Sequence, residues 1–123
     1  MAPSRSEIEK LASHLATSDP SPFFERVSPD VVWDVMESWK KGALGVINER
    51  LKEPLKLKVV NVLGGGDQDW ATVELEANSV CKNGMEYPQR YAWVMRFDKN
   101  NTIVQVRAYL DSALVQKAVD QNP

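Results

Sequence analysis

The strictest alternation in the chain runs from Thr102 to Asp111. Val104, Val106, Ala108 and Leu110 fall on one side, and Gln105, Arg107, Tyr109 and Asp111 on the other. A period of two predicts a strand with one aliphatic face and one polar-aromatic face. Strand patterns precede it at residues 70–82 and 87–98, and β-branched and aromatic content predicts another at 31–36. Leu55, Leu57, Val59, Asn61 and Leu63 alternate with Lys56, Lys58, Val60 and Val62, which predicts a strand over 55–63. Helical spacing governs the rest. Ser4 with Glu7, and Ser6 with Glu9, stand at capping-box spacing ahead of Ile8, Leu11, Ala12 and Leu15, predicting a helix over 4–16. Phe23, Phe24 and Val27 suggest a short second helix ending near Ser28-Pro29. Leu44, Ile47 and Leu51 place a third between Lys41 and Leu51, and residues 112–121 a terminal one with Asp111 as N-cap.

Turn chemistry predicts how the last three strands pair. Asn83-Gly84 reads as a two-residue type I′ turn, and Lys99-Asn100-Asn101 as a three-residue loop whose Asn takes a positive φ. On these turns Glu74 opposes Trp93, Val73 opposes Val94, Trp93 opposes Arg107 and Tyr91 opposes Tyr109. One face then collects Val73, Leu75, Ala77, Ala92, Val94, Val104, Val106, Ala108 and Leu110. The other collects Glu74, Tyr91, Trp93, Arg107, Tyr109 and Asp111, with Gln89 beside Asp111. A guanidinium stacked on Trp93 contributes ~0.5–1 kcal/mol if exposed. A bulge would exchange the faces beyond it, and Pro88 marks one place for it. Helices followed by a curved antiparallel sheet make an α+β architecture.

Composition narrows the function classes. The chain has 123 residues and a formal charge of −2, which suits one domain without a basic field for nucleic acid. No apolar run is long enough for a membrane span, and the amphipathic start argues for an intracellular, cytoplasmic protein. The one cysteine, Cys81, excludes an internal disulfide or a cysteine-cluster metal site. His14, the one histidine, reads as an ordinary helix residue. Gly64-Gly65-Gly66 lacks the Lys-Ser/Thr of a phosphate loop and reads as a flexible turn. Asn100-Asn101-Thr102 matches a glycosylation sequon but reads as turn chemistry.

Val31 to Met36, Val73-Glu74, Asn83-Gly84, Tyr87, Tyr91-Ala92-Trp93, and above all Arg107-Ala108-Tyr109-Leu110-Asp111 resemble the SnoaL-like group of the nuclear transport factor 2-like superfamily. Ketosteroid isomerase and limonene-epoxide hydrolase are relatives in that superfamily. The resemblance implies a single domain shaped as a cone-shaped α+β barrel, with helices closing a curled sheet around an apolar pocket and no cofactor. It implies an acid/base role for Asp111, with Arg107 and Tyr109 leading to it, and a pocket-lining role for Trp33; if Asp111 faces the pocket, the shared face brings Arg107, Tyr91, Trp93, Tyr109 and Glu74 to line it as well. It also implies a homodimer through the convex sheet face, expected at Val73, Val94, Val104 and Val106. The position where many relatives carry a histidine is occupied by Trp39.

Two functional classes follow. One is a cofactor-independent isomerase, cyclase or dehydratase acting on a small polyketide- or terpenoid-like metabolite. A carboxylate among apolar walls and beside a guanidinium can be balanced for proton transfer near neutral pH. The other is a non-catalytic binding or dimerising module, in which Asp111 is only the cap of the last helix.

Overall fold

The computed structural model describes residues 2–35, 49–53 and 55–122. Helix α1 (Arg5–Ala12) opens on the Ser4–Glu7 capping box and tightens into a 3-10 turn (Ser13–Ala16). Helix α2 (Ser21–Phe24) follows, with Pro22 in its first turn where no amide donor is needed. The strands are β1 (Val27–Val35), β2 (Lys58–Gly64), β3 (Trp70–Val80), β4 (Glu86–Phe97) and β5 (Ile103–Leu110), before the terminal helix α3 (Ser112–Gln121). They form one curved mixed sheet in the order β1-β5-β4-β3-β2, with β1 parallel to β5 and the other pairs antiparallel. The first strand starts earlier than its composition suggests, at Val27. The helix read over Lys41 to Leu51 lies outside the described residues except at its end, where Leu51 bridges Cys81. Met36 and Trp39 lie outside them too.

The loops locate the register, and they correct the expected one. Gly84 N donates to Cys81 O at 2.9 Å and Cys81 N to Met85 O at 2.8 Å. Gly84 has φ +89°, while Asn101 is the only non-glycine with positive φ among the described residues. Asn83 therefore does not adopt the left-handed conformation of a type I′ turn. The loop has three residues with glycine at the left-handed position, and β3 meets β4 one residue out of the expected register: Val73 opposes Trp93 and Glu74 opposes Ala92. The second loop is as expected. Asn101 has φ 62°, the Asp98 carboxylate accepts from Asn100 N and Thr102 N, and Phe97 opposes Ile103. A bulge at Val104 then shifts the pairing, so Arg96 opposes Gln105 and Trp93 opposes Ala108. Pro88 sits in unbroken pairing with Asn78.

Both shifts act on β4, and each moves its side chains to the opposite face relative to a neighbour. The inner face therefore holds Val73, Leu75, Tyr91, Trp93, Met95, Phe97, Val106 and Ala108, all buried under Ile8, Ala12, Leu15 and Phe23 of the N-terminal helices. Val73 (1% exposed) and Val106 (0%) belong to this core and cannot form the convex dimer surface expected of them. The outer face carries Thr72, Glu74, Ala92, Val94, Arg107 and Tyr109, all half-buried. A bulge at Val60 similarly turns Leu63 outward and Val62 into the core. A second cluster of Leu51, Cys81, Tyr87, Val115 and Ala118 lies under α3.

The three glycines form a fixed seat for the N-terminus. Gly66 N donates to Pro3 O at 2.9 Å and Ala2 N to Gln68 O at 3.2 Å. Gly65 has φ +82°, and a Cβ there would lie 2.8 Å from both Ile8 Cδ1 and Pro3 O. Gly65→Ala is expected to cost about 2–3 kcal/mol in urea unfolding, from backbone strain plus overpacking. Gly66→Ala has positive φ but open space around it, so it should cost only about 1 kcal/mol. Equal losses would show that the docked N-terminus contributes nothing.

Candidate functional site

An aromatic wall runs across the inner face. Strand β1 supplies Trp33, which pairs with Val106 across the parallel ladder and meets Trp93 edge to face at 5.1 Å between ring centroids. Trp93 also contacts Phe23 at 5.9 Å and Tyr91 at 6.4 Å, and Phe24 stacks on Trp33 at 6.5 Å. The wall grades from solvent to interior: Phe24 is 42% exposed, Trp33 is half-buried, and Tyr91 and Trp93 are buried. Aromatic pairs of this geometry contribute ~0.5–1.5 kcal/mol each beyond area burial.

Behind the wall, Tyr87, Gln89 and Tyr91 alternate along β4 and share its inner side. Gln89 Nε2 donates to the Tyr87 hydroxyl at 3.2 Å, and the Tyr87 and Tyr91 phenols influence each other's ionisation. Burial pushes the Tyr87 phenol above its ordinary value, opposed by its interactions with Gln89 and Tyr91. Burial pushes the Tyr91 phenol strongly up, and the Tyr87 beside it adds to the effect. Both therefore remain protonated, as donors, at neutral pH. For a phenol raised in the fold, the stabilisation is complete below the unfolded value of 10.0 and declines as pH rises above it. Alkaline titration followed at 295 nm should show Tyr87 and Tyr91 ionising only as the protein unfolds. Full tyrosinate absorbance with native near-ultraviolet dichroism would contradict this.

Asp111 follows the end of β5 and caps α3. Its carboxylate accepts from Leu114 N at 3.1 Å and its side chain is exposed. Its backbone faces inward, where Gln89 binds both its N–H and its C=O. The structure thus brings together Trp33, Tyr91 and Trp93, while Tyr87 and Gln89, on the same side of β4 as Tyr91, are hydrogen-bonded to each other and to the backbone of Asp111. Arg107, Tyr109 and Glu74 are placed elsewhere. Arg107 lies over Trp70, 5.0 Å from the ring centroid, rather than over Trp93. Tyr109 opposes Ala92, and Glu74 accepts from Asn61 Nδ2 at 3.1 Å. The physical cause is the one-residue shift of β4, which parts these residues from Trp93 and Tyr91.

The sequence reading gave Phe23, Phe24 and Tyr87 no part in this constellation, and set Gln89 beside Asp111 without assigning it a role. The signal for two of them was present: Tyr87, Gln89, Tyr91 and Trp93 recur at every second position. Two surface clefts, of about 260 Å3 beside Lys52, Lys56 and Asn78 and about 480 Å3 beside Lys82, Asn83 and Gln121, contain none of the expected site residues. No group of His, Cys, Asp and Glu suited to a metal ion occurs among the described residues. None of their helices is long and apolar enough to cross a membrane.

No family model matches the sequence. The chain is similar to the dimerizing cyclase phiC of a fungal species (strain ATCC 74256), at 28% identity over 112 residues, covering 80% of this chain and 50% of that protein. It thus spans about half the length of that curated relative. Among solved structures, an NTF2-like protein from Burkholderia thailandensis superposes with a TM-score of 0.66 at 20% identity, over 89% of this chain and 95% of that one. TerC co-crystallized with polyporic acid superposes with a TM-score of 0.71 at 14% identity, over 95% and 99% of the two chains.

Proposed function

We propose that this chain, which has the nuclear transport factor 2-like fold, is a single-domain, intracellular, cofactor-independent acid–base catalyst of cyclase or isomerase type. Its substrate is a small apolar, polyketide- or terpenoid-like metabolite. The observation that carries this reading is the graded aromatic wall of Phe24, Trp33, Trp93 and Tyr91, beside which Tyr87 is joined through Gln89 to the backbone of Asp111. The similarity to a dimerizing cyclase and to a protein crystallised with polyporic acid supports it. In this reading the wall holds a flat apolar ring system, and Asp111 removes a proton next to a carbonyl. The Tyr87–Tyr91 pair, kept protonated by burial, donates to the developing enolate oxygen. Arg107, Tyr109 and Glu74 take no part at the wall because they occupy the other face of the sheet.

The test is solvent exchange into an enolisable apolar ketone. β-Tetralone in D2O should lose its α-protons faster with the protein than without it, as read by NMR, and should quench tryptophan fluorescence. Binding without accelerated exchange would favour the second reading, a non-catalytic binding module. That reading draws support from the exposure of Asp111 and its occupation as a helix cap.

The outer sheet face also implies a second copy. Half-buried Val94, Ala92 and Tyr109 lie between Val32 (54% exposed) at one edge and Leu63 (51%) at the other. These apolar side chains alternate across the ladder with Thr72, Glu74, Arg96 and Arg107, and a mixed face of this kind suits a self-complementary interface. Sedimentation at high micromolar concentration should give a dimer, and Val94→Glu should shift it to monomer. A monomeric parent protein sinks the dimer.

A further inference from the structure

We infer that Gln89 is a positioning residue, a clamp that holds Asp111 in its working geometry and joins it mechanically to the phenol pair under the aromatic wall; this rests on the proposed acid–base role of Asp111. Gln89 is completely buried, at 0% exposure. An amide side chain has two lone pairs on oxygen and two N–H donors, and every one is used. Oε1 accepts from Asp111 N at 2.9 Å and from Arg90 N at 3.1 Å. Nε2 donates to Asp111 O at 3.0 Å and to the Tyr87 hydroxyl at 3.2 Å. No capacity remains for a ligand, so Gln89 acts through its neighbours and not on a substrate.

The paired bonds do for Asp111 what a neighbouring strand would do. Beyond Leu110 the β5 ladder has ended, and the next residues belong to α3. The backbone N–H and C=O of Asp111 lie at this junction without a ladder partner. Gln89 receives one and donates to the other, holding Asp111 at φ −83° and ψ 98°, extended, with its carboxylate turned to the start of the helix. The orientation of the amide follows from the chemistry: a reversed amide would set two donors face to face at Asp111 N and two acceptors at Asp111 O. The remaining N–H points to Tyr87, which shares the inner side of β4 with Tyr91 of the wall. One side chain thus couples the proposed proton-handling residue to the proposed enolate donors. Displacements of about 1 Å in such a frame can cost ~100-fold in rate.

Two substitutions test the clamp, with β-tetralone exchange as the activity. Gln89→Met keeps the volume and removes all four bonds. Its kcat for exchange should fall ten- to a hundredfold while KM stays within twofold, because the wall is intact, and the Asp111 amide should lose its protection against hydrogen exchange by NMR. Gln89→Glu keeps both acceptor bonds but replaces the donor to Asp111 O and Tyr87 by an ionisable oxygen. Its kcat relative to the parent should recover as pH falls and the introduced carboxyl becomes protonated, since the acid again offers a donor. A purely structural glutamine would lower thermal stability without this split of kcat from KM and without recovery at low pH. Parental kcat in folded Gln89→Met, or no pH-dependent recovery in Gln89→Glu, overturns the clamp and leaves the functional reading standing. If the parent protein does not accelerate exchange, or if Asp111→Asn exchanges like the parent, the functional reading falls and the positioning role falls with it.

Discussion

Replacing Trp93 by alanine should destabilise the protein by about 3–5 kcal/mol, the range for deleting a large buried aromatic. Trp93 is 1% exposed and touches Phe23 of α2, Trp33 of β1 and Tyr91 of its own strand. Its neighbours belong to different elements, and the residue opposite it on β5 is only Ala108. No single element can shift to fill the space, so the cavity persists instead of collapsing. At this chain length the loss corresponds to a fall in Tm on the order of 10–25 °C. Trp93→Phe keeps the apolar contact and should cost markedly less. Urea unfolding gives the measurement, with a lower midpoint and an unchanged slope. A loss under about 1 kcal/mol would mean that Trp93 is not the centre of the core.

Asp111→Asn should reduce β-tetralone exchange by about 10²–10⁴-fold while leaving stability nearly unchanged. Two roles meet at this residue, and the substitution separates them. Asparagine and aspartate cap helices about equally well, so the bond to Leu114 N survives. An amide cannot take up the substrate proton, so the reaction loses about 3–5 kcal/mol of barrier lowering. Asp111→Ala removes cap and carboxylate together. Its exchange should be as slow, with a further loss of about 1 kcal/mol in stability. Unchanged exchange in Asp111→Asn, with only stability lost in Asp111→Ala, would make Asp111 a cap and nothing more.

The candidate site was legible in part, and the division follows the two hairpins. The alternation of Gln89, Tyr91, Trp93, Met95 and Phe97 belongs to β4 alone, and their common face could be read directly. Their companions across the sheet could not. Asn83-Gly84 suits two loop lengths, and the choice between them rests on whether Asn83 takes a positive φ. In the structure Asn83 is tied to the end of α3: its N–H donates to Asn122 Oδ1 and its Nδ2 to Gln121 O, both at 3.0 Å. Residues nearly forty positions away thus bear on the loop. The bulge at Val104 follows a turn that was read correctly, yet no glycine or proline marks it. Each feature moves the register by one, and one residue suffices to separate Arg107 from Trp93.

The sequence by itself determined the capping box at Ser4, the strand identities of β3, β4 and β5, the positive φ at Asn101 and the cap at Asp111. It also carried a resemblance whose implied α+β fold the structure shows. These depend on residues within a few positions of one another, where local sterics and hydrogen bonding decide. Only the tertiary structure decided which face of β4 meets which faces of β3 and β5, that Trp33 joins Trp93, and that Gln89 grips the backbone of Asp111. Those outcomes turn on loop and bulge geometries that differ little in local energy, and the burial of Trp93 and its neighbours selects among them.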